Sequence, residues 1–258
     1  MAHEFDGKGY SGASTHQKEW GSQLINELAL QGHEHILDLG CGDGVLTKVL
    51  ADLVPRGEVI GVDASRGMLE AAQSKTCGNL QFLLMDIDDI DFLDRFDIIF
   101  SNAALHWVKG HERLFSNVYR ALRNGGRIRF NFASDGNCAH FFKVVREAMA
   151  RDEFQPSFVE FIWPWYMPTL DDYHALVDEI GFDNALVWEE NADRFFSDEL
   201  MMVRWIDQPS LVPFLPFLTG QQQKDFRDYV VQRMIEETRQ HDGRCFETFR
   251  RMNVSACK

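Results

Sequence analysis

The stretch that decides the fold runs Ile36-Leu37-Asp38-Leu39-Gly40-Cys41-Gly42-Asp43-Gly44, directly before Val45. It is a short apolar run that ends in three glycines, each separated from the next by one residue, and a helical pattern follows from Val45 onward. Glycine lets the backbone turn tightly, and it lets a ligand approach without a Cβ in the way. Because many nucleotide-binding folds share such a strand-to-helix turn, the stretch by itself predicts a βα unit with a nucleotide-like ligand at the turn.

Asp43 and Val45 help to decide between the possible ligands. The pattern G-x-G-x-G lacks the third glycine of the dinucleotide motif G-x-G-x-x-G, since Val45 and Leu46 follow. A dinucleotide places its diphosphate at the positive end of the following helix, where the carboxylate of Asp43 would repel it. S-adenosylmethionine carries no phosphate, and its sulfonium and ammonium are compatible with Asp38 and Asp43. The stretch therefore favours S-adenosylmethionine over NAD, while a purely structural turn with Asp43 as helix N-cap stays an alternative.

Strand-like and helical segments alternate outward from the glycine stretch as far as residue 133. The predicted strands cover residues 34–39, 58–62, 80–85, 96–100 and 127–132, and the predicted helices cover residues 16–31, 45–54, 66–74 and 111–122. This alternation implies βαβ units with right-handed crossovers, and hence an α/β fold with a doubly wound, mostly parallel sheet. Ligands bind beyond the carboxyl ends of the strands in such sheets, which directs the search for a site to the loops that follow them.

Asp63 and Asp86 end the second and third predicted strands. Asp63 lies 19 residues past Gly44, close to the spacing at which a carboxylate accepts hydrogen bonds from ribose hydroxyls. Asp86 is placed to accept from an adenine amine, with the backbone N–H and the apolar side chain of Ile87 beside it. Met68 on the next helix is placed to cover one adenine face. For each aspartate, a helix cap or a solvated loop residue is the alternative.

Composition narrows the possible partners. The chain has 258 residues, 45% of them hydrophobic, and a formal net charge of −14. A packed domain is therefore expected, and so acidic a chain is a poor ligand for nucleic acid or anionic lipid, because phosphates repel it. The five cysteines are widely spaced and include no C-x-x-C pair, so neither a metal site nor a disulfide framework is indicated.

Neither a secretion signal nor a membrane anchor is predicted. Residues 1–10 are polar, and no stretch of about 18 apolar residues occurs. We therefore expect a soluble, cytoplasmic protein with reduced thiols. Its expected partner is a small-molecule substrate rather than nucleic acid or a membrane, and the expected state is a monomer or a small homo-oligomer.

The second half of the chain is less regular. Predicted helices cover residues 138–150, 170–180, 198–206 and 222–240, and predicted strands cover residues 186–189 and 246–254. The helix at 170–180 is followed by Gly181, a residue type favoured just past a helix end. Residues 154–168 are rich in aromatic residues and proline, which predicts an irregular segment that either packs in a core or walls an apolar acceptor pocket.

Taken in order, five segments resemble the motifs of class I S-adenosylmethionine-dependent methyltransferases. They are the glycine stretch, Gly61-Val62-Asp63-Ala64-Ser65 with Met68, Asp86, Ser101-Asn102-Ala103-Ala104-Leu105-His106-Trp107-Val108, and Leu122-Arg123-Asn124-Gly125-Gly126. The resemblance implies a Rossmann-like methyltransferase fold with a mostly parallel, seven-stranded sheet. It divides the chain into a cofactor-covering segment at 1–33, the methyltransferase core at 34–196, a helical lid inserted at 197–245 and the final core strand at 246–258.

The same resemblance implies the cofactor contacts. S-adenosylmethionine would bind, and S-adenosylhomocysteine would leave as the product. The expected cofactor-binding residues are Tyr10, Gln17, Asp38, Gly40, Cys41, Gly42, Asp63, Ala64, Met68, Asp86, Ile87, Asn102 and Ala103. No metal ligand is expected.

Residues 102–108 and several C-terminal segments resemble the trans-aconitate methyltransferase group in particular. The C-terminal segments are Gly181-Phe182, Val203-Arg204-Trp205-Ile206, Leu211-Val212-Pro213-Phe214-Leu215, Asp242-Gly243-Arg244 and Phe249-Arg250-Arg251. Members of that group methylate carboxylates of small organic acids, which implies O-methylation of a carboxylic acid here. One position departs from the group, because Val212 stands where a basic residue is usual, and this weakens the case for a tricarboxylate.

His106 is the expected catalytic residue, because it is the histidine in the loop after the fourth strand. It would orient an acceptor oxygen or take a proton, and a buried histidine bonded to the backbone is the alternative. A carboxylate acceptor needs no base, since it is already ionised at neutral pH. Trp107, Tyr166 and Arg251 are the expected substrate contacts. Arg250 and Arg251 are adjacent on a predicted strand, so at most one of them reaches the site.

Other acceptors and other functions stay open. A phenol, an amine, a carbon atom or an acyl-thioester carboxylate would suit the same fold, and a non-catalytic module that binds S-adenosylmethionine is a further alternative. An oxidoreductase is disfavoured by Asp43 and the missing third glycine. A nucleic-acid methyltransferase is disfavoured by the net charge of −14.

Overall fold

The computed structural model describes residues 15–258, so the cofactor contact expected at Tyr10 lies outside the described residues. The strands are β1 (His35–Leu39), β2 (Glu58–Asp63), β3 (Leu80–Leu84), β4 (Phe96–Asn102), β5 (Leu122–Ala133), β6 (Asp183–Asn191), β7 (Arg194–Phe196), β8 (Cys245–Glu247) and β9 (Arg250–Cys257). Seven of these strands form one sheet in the order β3-β2-β1-β4-β5-β9-β6, and β7 pairs with β8 in a second sheet.

α-Helices follow β1, β2, β4 and β5, as the alternation predicts, whereas β3 leads to β4 without one. The helices are α1 (Thr15–Glu27), α2 (Val45–Leu53), α3 (Arg66–Ala72), α4 (His111–Ala121), α5 (Ala139–Met149), α6 (Leu170–Ile180), α7 (Glu199–Trp205) and α8 (Gly220–Thr238). The doubly wound, mostly parallel seven-stranded sheet is therefore confirmed. Gly181 follows α6 in the left-handed conformation, with a φ of 85°.

β1 lies inside the sheet and has a parallel neighbour on each side. It pairs in parallel with β2 on one side and with β4 on the other. β3 extends the first side and β5 the second, both in parallel, whereas β9 runs antiparallel to β5. Because the connections after β1 and β4 lead to opposite sides, a crevice opens beyond the carboxyl ends of these two strands.

The two faces of the sheet differ in polarity toward its β9 side. In β1 both faces are apolar, with Leu37 packed on one side and Ile36 on the other. In β5 and β9 the face that carries Phe130 and Val254 belongs to the hydrophobic core. The opposite face carries buried polar side chains, among them Asn131. Residues of this polar face contact α1, and the face forms part of the site described below.

β5 begins earlier than the sequence predicts. Asn124-Gly125-Gly126 are expected to end a helix and precede the strand, yet they lie within β5. The N–H of Gly125 donates to the Lys258 carbonyl at 2.8 Å, and the N–H of Lys258 donates to the Gly126 carbonyl at 2.8 Å. This pairing with a distant segment draws the glycines into the sheet, which local sequence patterns do not reveal.

The last strand is also placed differently from the prediction of 246–254. Strand β9 runs Arg250–Cys257, and the residues before it form the separate short strand β8. Glu247 accepts a hydrogen bond from the N–H of Phe141 at 2.9 Å, and Thr248 Oγ1 accepts from the N–H of Ala139 at 3.0 Å. These bonds satisfy the first turn of α5, and the segment between β8 and β9 serves as its cap.

By its internal contacts the chain divides into two compact units. The second unit comprises Gly136–Pro164 and Asn191–Arg250, and the first comprises the other described residues. Residues 136–164, which the sequence assigns to the core, thus group with the helices after β6, and the four-region division of the chain stays a prediction. Within the second unit, Phe154 and Phe158 are buried and pack edge-on or tilted against Phe226.

Among the helices that the structure describes, none is both long and apolar enough to cross a bilayer. Within residues 15–258, no group of three or more histidine, cysteine, aspartate or glutamate side chains is arranged to hold a metal ion.

Candidate active site

The glycines of the loop after β1 have different roles. Gly40 has a φ of 72°, and a Cβ there would lie 2.2 Å from the Cβ of Ala104. At Gly44 a Cβ would lie 2.6 Å from Phe82 Cζ, whereas at Gly42 it would meet no atom of residues 15–258 within 4 Å. Gly40 and Gly44 are therefore required by the packing of the protein itself, and Gly42 faces open space that a ligand can occupy.

The carboxylate of Asp43 has one partner at the start of α2 and another on α1. Its Oδ1 accepts from the N–H of Val45 at 3.3 Å, while Gly44 occupies the N-cap position of α2. Its Oδ2 lies 3.0 Å from Nζ of Lys18 on α1. Asp43 thus contributes to the start of the helix, and its charge is partly balanced by a lysine that the sequence analysis did not identify.

Asp38 is enclosed in the protein at the end of β1. It is 3% exposed, and its Oδ2 accepts a hydrogen bond from Thr47 Oγ1 at 2.7 Å. Burial raises the pKa of Asp38 to about 7, the Thr47 bond opposes that shift, and the charge of Asp63 adds to it. The carboxyl group is therefore poised between its neutral and ionised forms near neutral pH.

Asp63 ties the glycine loop to the loop after β2. Its Oδ2 accepts from the N–H of Gly42 at 2.8 Å, and its Oδ1 accepts from the N–H of Ser65 at 2.9 Å. The N–H groups of Gly40 and Cys41 both donate to the carbonyl of Val62, at 2.9 and 3.0 Å. A carboxylate oxygen has two lone pairs and can accept more than one hydrogen bond, which is the property that binding of ribose hydroxyls requires.

The loop residues after β2 and β3 differ in burial. Met68 is buried on α3, whose first turn is capped by Ser65 Oγ at 3.4 Å from the N–H of Met68, and Ala64 is half-buried. Asp86 is exposed and accepts from the N–H of Asp88 at 3.1 Å, which is the capping role that the sequence left open. Ile87 is buried against the glycine loop, with Cδ1 3.8 Å from the Cβ position of Gly40.

Two side-chain oxygens from α1 and β4 lie unsatisfied beside the crevice. Asn102 Nδ2 donates to the backbone carbonyl of Gln17 at 2.9 Å. Gln17 Oε1 and Asn102 Oδ1 are both buried, and neither has a hydrogen-bond partner within the part of the chain that the structure describes. A buried acceptor without a donor is costly, so these two oxygens indicate a place where a cationic or N–H-bearing group binds.

His106 lies in a short turn, Leu105–Trp107, directly beyond β4. Its ring is half-buried, and Nδ1 is inaccessible and lacks a hydrogen-bond partner in residues 15–258. Burial, followed by the charges of Arg251 and His111, lowers the pKa of His106 to about 3. In contrast, His111 is bonded to the Tyr173 hydroxyl at 2.7 Å and to the Leu105 carbonyl at 3.0 Å, and it is the histidine with the structural role.

Arg251 is a buried cation at the start of β9, with 3% of its surface exposed. Its Nε and Nη2 donate to Oδ1 of Asn131 at 2.8 and 2.5 Å, and its guanidinium lies 4.6 Å from the ring centre of Trp20. Arg250, by contrast, forms a hydrogen-bonded ion pair with Asp193. The two arginines therefore have different partners, as their adjacent positions on a strand predict.

Asn131, Asn253 and Trp20 are site residues that the sequence analysis missed. Asn131 Nδ2 donates to Asn253 Oδ1 at 2.8 Å, and Arg129 Nη1 donates to the same oxygen at 3.0 Å. One signal was present in the sequence, because polar residues occupy every second position of Arg127-Ile128-Arg129-Phe130-Asn131. In a strand expected to be buried on both faces, such alternation marks a polar face.

Trp107 and Tyr166 lie on either side of the His106 turn. The ring of Trp107 is centred 5.6 Å from that of His106 and 5.3 Å from that of Trp165. The N–H of Tyr166 donates to the His106 carbonyl at 2.8 Å, and burial raises the pKa of its hydroxyl. Aromatic residues thus lie beside the turn that carries His106.

Known proteins resemble this chain in sequence. Residues 36–126 match a family model described as a methyltransferase domain. The chain is 26% identical over 263 residues to trans-aconitate 2-methyltransferase from Acidovorax ebreus, and the alignment covers 98% of each protein. It is 31% identical over 133 residues to malonyl-[acyl-carrier protein] O-methyltransferase from Priestia megaterium, over 50% of this chain and 48% of that protein.

A solved structure has the same fold. The chain superposes on Haemonchus contortus phosphoethanolamine N-methyltransferase 2, solved in complex with S-adenosyl-L-methionine, with a TM-score of 0.62 and 18% identity. The match covers 98% of this chain and 56% of the other. The methyltransferase model spans the glycine loop, Asp63 and His106, so residues 36–126 form a methyltransferase domain, and the relatives extend the similarity to methyltransferases along the rest of the chain.

Proposed function

We propose that this enzyme methylates a carboxylate oxygen of a small organic acid and so forms a methyl ester. The observation that carries the proposal is an uncharged histidine in the electrostatic field of a buried arginine. With a pKa of about 3, His106 is neutral at physiological pH. Arg251 carries a guanidinium that stays charged at any working pH. A neutral hydrogen-bonding group together with a cation suits an anionic acceptor.

The pKa of His106 distinguishes between classes of acceptor. A carboxylate is ionised at neutral pH and has no proton to lose during methyl transfer. A phenol or an ammonium group must lose a proton, and a histidine whose pKa is about 3 is a poor base for that task. We therefore assign to His106 the orientation of an acceptor oxygen and not the removal of a proton.

The two buried oxygens of Gln17 and Asn102, the carboxylate of Asp63 and the position of Gly42 support the placement of the cofactor. Bound S-adenosylmethionine supplies a methyl group that its sulfonium already activates. Gln17 Oε1 and Asn102 Oδ1, the two buried oxygens with no partner in the described residues, would accept hydrogen bonds from its ammonium. Asp63 would accept from the ribose hydroxyls, and Gly42 leaves room for the nucleoside.

The remaining contacts are proposed from the resemblance of their motifs. The further residues proposed to contact the cofactor are Tyr10, Asp38, Gly40, Cys41, Ala64, Met68, Asp86, Ile87 and Ala103. Trp107 and Tyr166 are proposed to contact the acceptor beside Arg251. Residues 197–245 are proposed to act as a lid, and we expect a cytoplasmic monomer or small homo-oligomer.

The relatives support an acid as the acceptor. One is named for trans-aconitate and another for a malonyl group on an acyl-carrier protein. In this chain Val212 provides no charge, so we assign the recognition of the carboxylate to Arg251. An acid with fewer charges than a tricarboxylate, or the free carboxylate of an acyl thioester, is therefore the preferred substrate class.

The decisive experiment is a substrate panel with methyl-labelled S-adenosylmethionine. We expect base-labile methyl esters from one or more mono- or dicarboxylic acids or malonyl thioesters. Removal of a general base typically costs about 10²–10⁴-fold in rate, so retention of activity within about tenfold by His106→Asn would support the orienting role. Base-stable products formed only from phenols or amines would refute the ester proposal.

A further inference from the structure

Asn131, near the end of β5, bonds to two separate parts of the site. Its backbone carbonyl accepts from the N–H of Ala103 at 2.7 Å. Its side-chain Oδ1 accepts from Nε and Nη2 of Arg251 at 2.8 and 2.5 Å. Asn131 is 3% exposed, so these bonds form away from bulk water, where hydrogen bonds are strong. A single residue therefore holds both the chain that leads to His106 and the guanidinium of Arg251.

The bond to Ala103 fixes how the chain leaves β4. Ala103 has a φ of 58°, a left-handed conformation that is unfavourable for a residue with a side chain. Such conformations persist where the surrounding structure holds them in place. Ala103 precedes His106 by three residues, so the bond from its N–H helps to set the direction of the turn that carries the imidazole.

The amide of Asn131 is held in one orientation from both ends. Oδ1 faces a guanidinium, which has only donors, and Nδ2 donates to Oδ1 of Asn253 at 2.8 Å. Arg129 Nη1 donates to the same Asn253 oxygen at 3.0 Å, which keeps that acceptor in place. An amide accepts two N–H groups from Arg251 without bringing a negative charge to it, whereas a carboxylate of the same shape would add one.

We infer that Asn131 is a positioning and specificity-determining residue, which orients Arg251 toward an anionic acceptor without adding a competing carboxylate. This inference rests on the proposed function, because it assigns to Arg251 the recognition of the acceptor's carboxylate. We assign Asn131 no contact of its own with cofactor or acceptor. It acts through Arg251 and through the turn that carries His106.

The test compares Asn131→Asp with Asn253→Asp. Both variants add one carboxylate to the same face of the sheet, but only the first adds it against Arg251, since Asn253 contacts Arg129 instead. For Asn131→Asp we expect the KM for the acid acceptor to rise about tenfold, because the new carboxylate competes for the guanidinium. We expect the kcat to change less than the KM, the Kd for S-adenosylhomocysteine to stay within about twofold, and Asn253→Asp to raise the KM at least threefold less.

A readout without acceptor supplements the kinetics. A carboxylate beside Arg251 offsets the charge that acts on His106, so Asn131→Asp should raise the pKa of His106 in NMR titrations more than Asn253→Asp does. Asn131→Ala should raise the KM and lower the kcat, because Arg251 loses its acceptor. If that variant does not fold, as judged by binding of S-adenosylhomocysteine, the two aspartate variants decide.

The outcomes separate this inference from the proposed function. If the wild-type enzyme esterifies an acid and the two aspartate variants share the same KM, the positioning role of Asn131 is wrong while the proposed function stands. If the wild type methylates only phenols or amines, the proposed function fails and the inference falls with it. A selective rise in KM for Asn131→Asp supports both.

Discussion

The cofactor side and the acceptor side of the crevice use one sheet in different ways. On the cofactor side, the loop after β1 bonds to the loop after β2, as in the 2.8 Å bond from the N–H of Gly42 to Asp63. On the acceptor side, Arg251 bonds to Asn131, 120 residues away in the sequence, and stacks near Trp20 on α1. Most residues of the proposed cofactor side thus belong to motifs that can be recognised in the sequence, whereas the proposed acceptor side depends on the register of β5 and β9. A single side chain can therefore change acceptor choice without disturbing the cofactor loops.

The largest expected effect is on the acceptor side. Arg251→Met removes the proposed carboxylate-binding cation, and we expect kcat/KM for the acid to fall roughly 100-fold, the size expected for loss of a buried charged partner. Binding of S-adenosylhomocysteine should stay near wild type, which would separate the two sides. Arg250→Met is the matched control, since Arg250 pairs with Asp193. Equal losses of activity in the two variants would contradict the role of Arg251.

Two glycine variants test whether Gly40 serves the packing of the loop and Gly42 serves cofactor binding. Gly40→Ala places a Cβ 2.2 Å from Ala104 at a φ of 72°, so we expect the free energy of unfolding to fall by about 2–4 kcal/mol. Within the described part of the chain, the new Cβ of Gly42→Ala meets no atom within 4 Å, so the variant should cost about 1 kcal/mol of stability, yet it should weaken cofactor binding. Urea unfolding and calorimetry measure the two quantities. Equal stability losses would contradict the assignment of separate roles.

Replacement of Asp63 should weaken cofactor binding by less than replacement of Arg251 lowers kcat/KM for the acid. Asp63→Ala removes the proposed acceptor for the ribose and the acceptor for the N–H of Gly42, and we expect cofactor binding to weaken by about 1.5–3 kcal/mol. Asp63→Asn keeps one oxygen and should weaken binding less. The KM for the acid should stay nearly constant in both variants at saturating cofactor. An unchanged Kd in calorimetry for Asp63→Ala would exclude the ribose role.

The last expected effects are opposite dependences of stability on pH, each at most about 1.4 kcal/mol per pH unit. The folded-state pKa of Asp38 is raised to about 7, so the folded protein binds the extra proton, and its contribution to stability is lost as the pH rises from about 4 to 7. The folded-state pKa of His106 is lowered to about 3, so its contribution is present above about pH 6.5 and is lost as the pH falls toward 3.

Two variants, studied without cofactor, show how the free energy of unfolding changes with pH. Relative to wild type, Asp38→Asn should become more stable as the pH rises from about 4 to 7, by at most about 1.4 kcal/mol per pH unit. His106→Asn should become less stable relative to wild type as the pH rises from about 3 to 6.5. Urea unfolding at several pH values gives both slopes. Parallel slopes for the two variants would show that the burial of one group has been misassigned.

The comparison also explains which parts of the site the sequence predicts. The glycine loop, Asp63 and the alternating strands follow from short motifs and from residue periodicity, so their pattern is visible in the sequence. The pairing of Gly125 and Gly126 with Lys258, and the separation of β8 from β9, depend on contacts with distant residues and were mispredicted. Arg251 was expected as a substrate contact from the resemblance, but its partner Asn131 follows only from the register of two strands.

The thiol of Cys41, between two glycines of the motif, has a consequence for chemical labelling. Its Cβ lies 2.9 Å from the Cβ position of Gly61, it is 7% exposed, and burial raises its pKa well above the ordinary value. Nucleophilic attack on an electrophile requires the thiolate, which this environment suppresses. Maleimides and iodoacetamides should therefore spare the nucleoside crevice and modify the exposed Cys77 instead, which makes Cys77 the natural attachment point for a reporter dye on the folded enzyme.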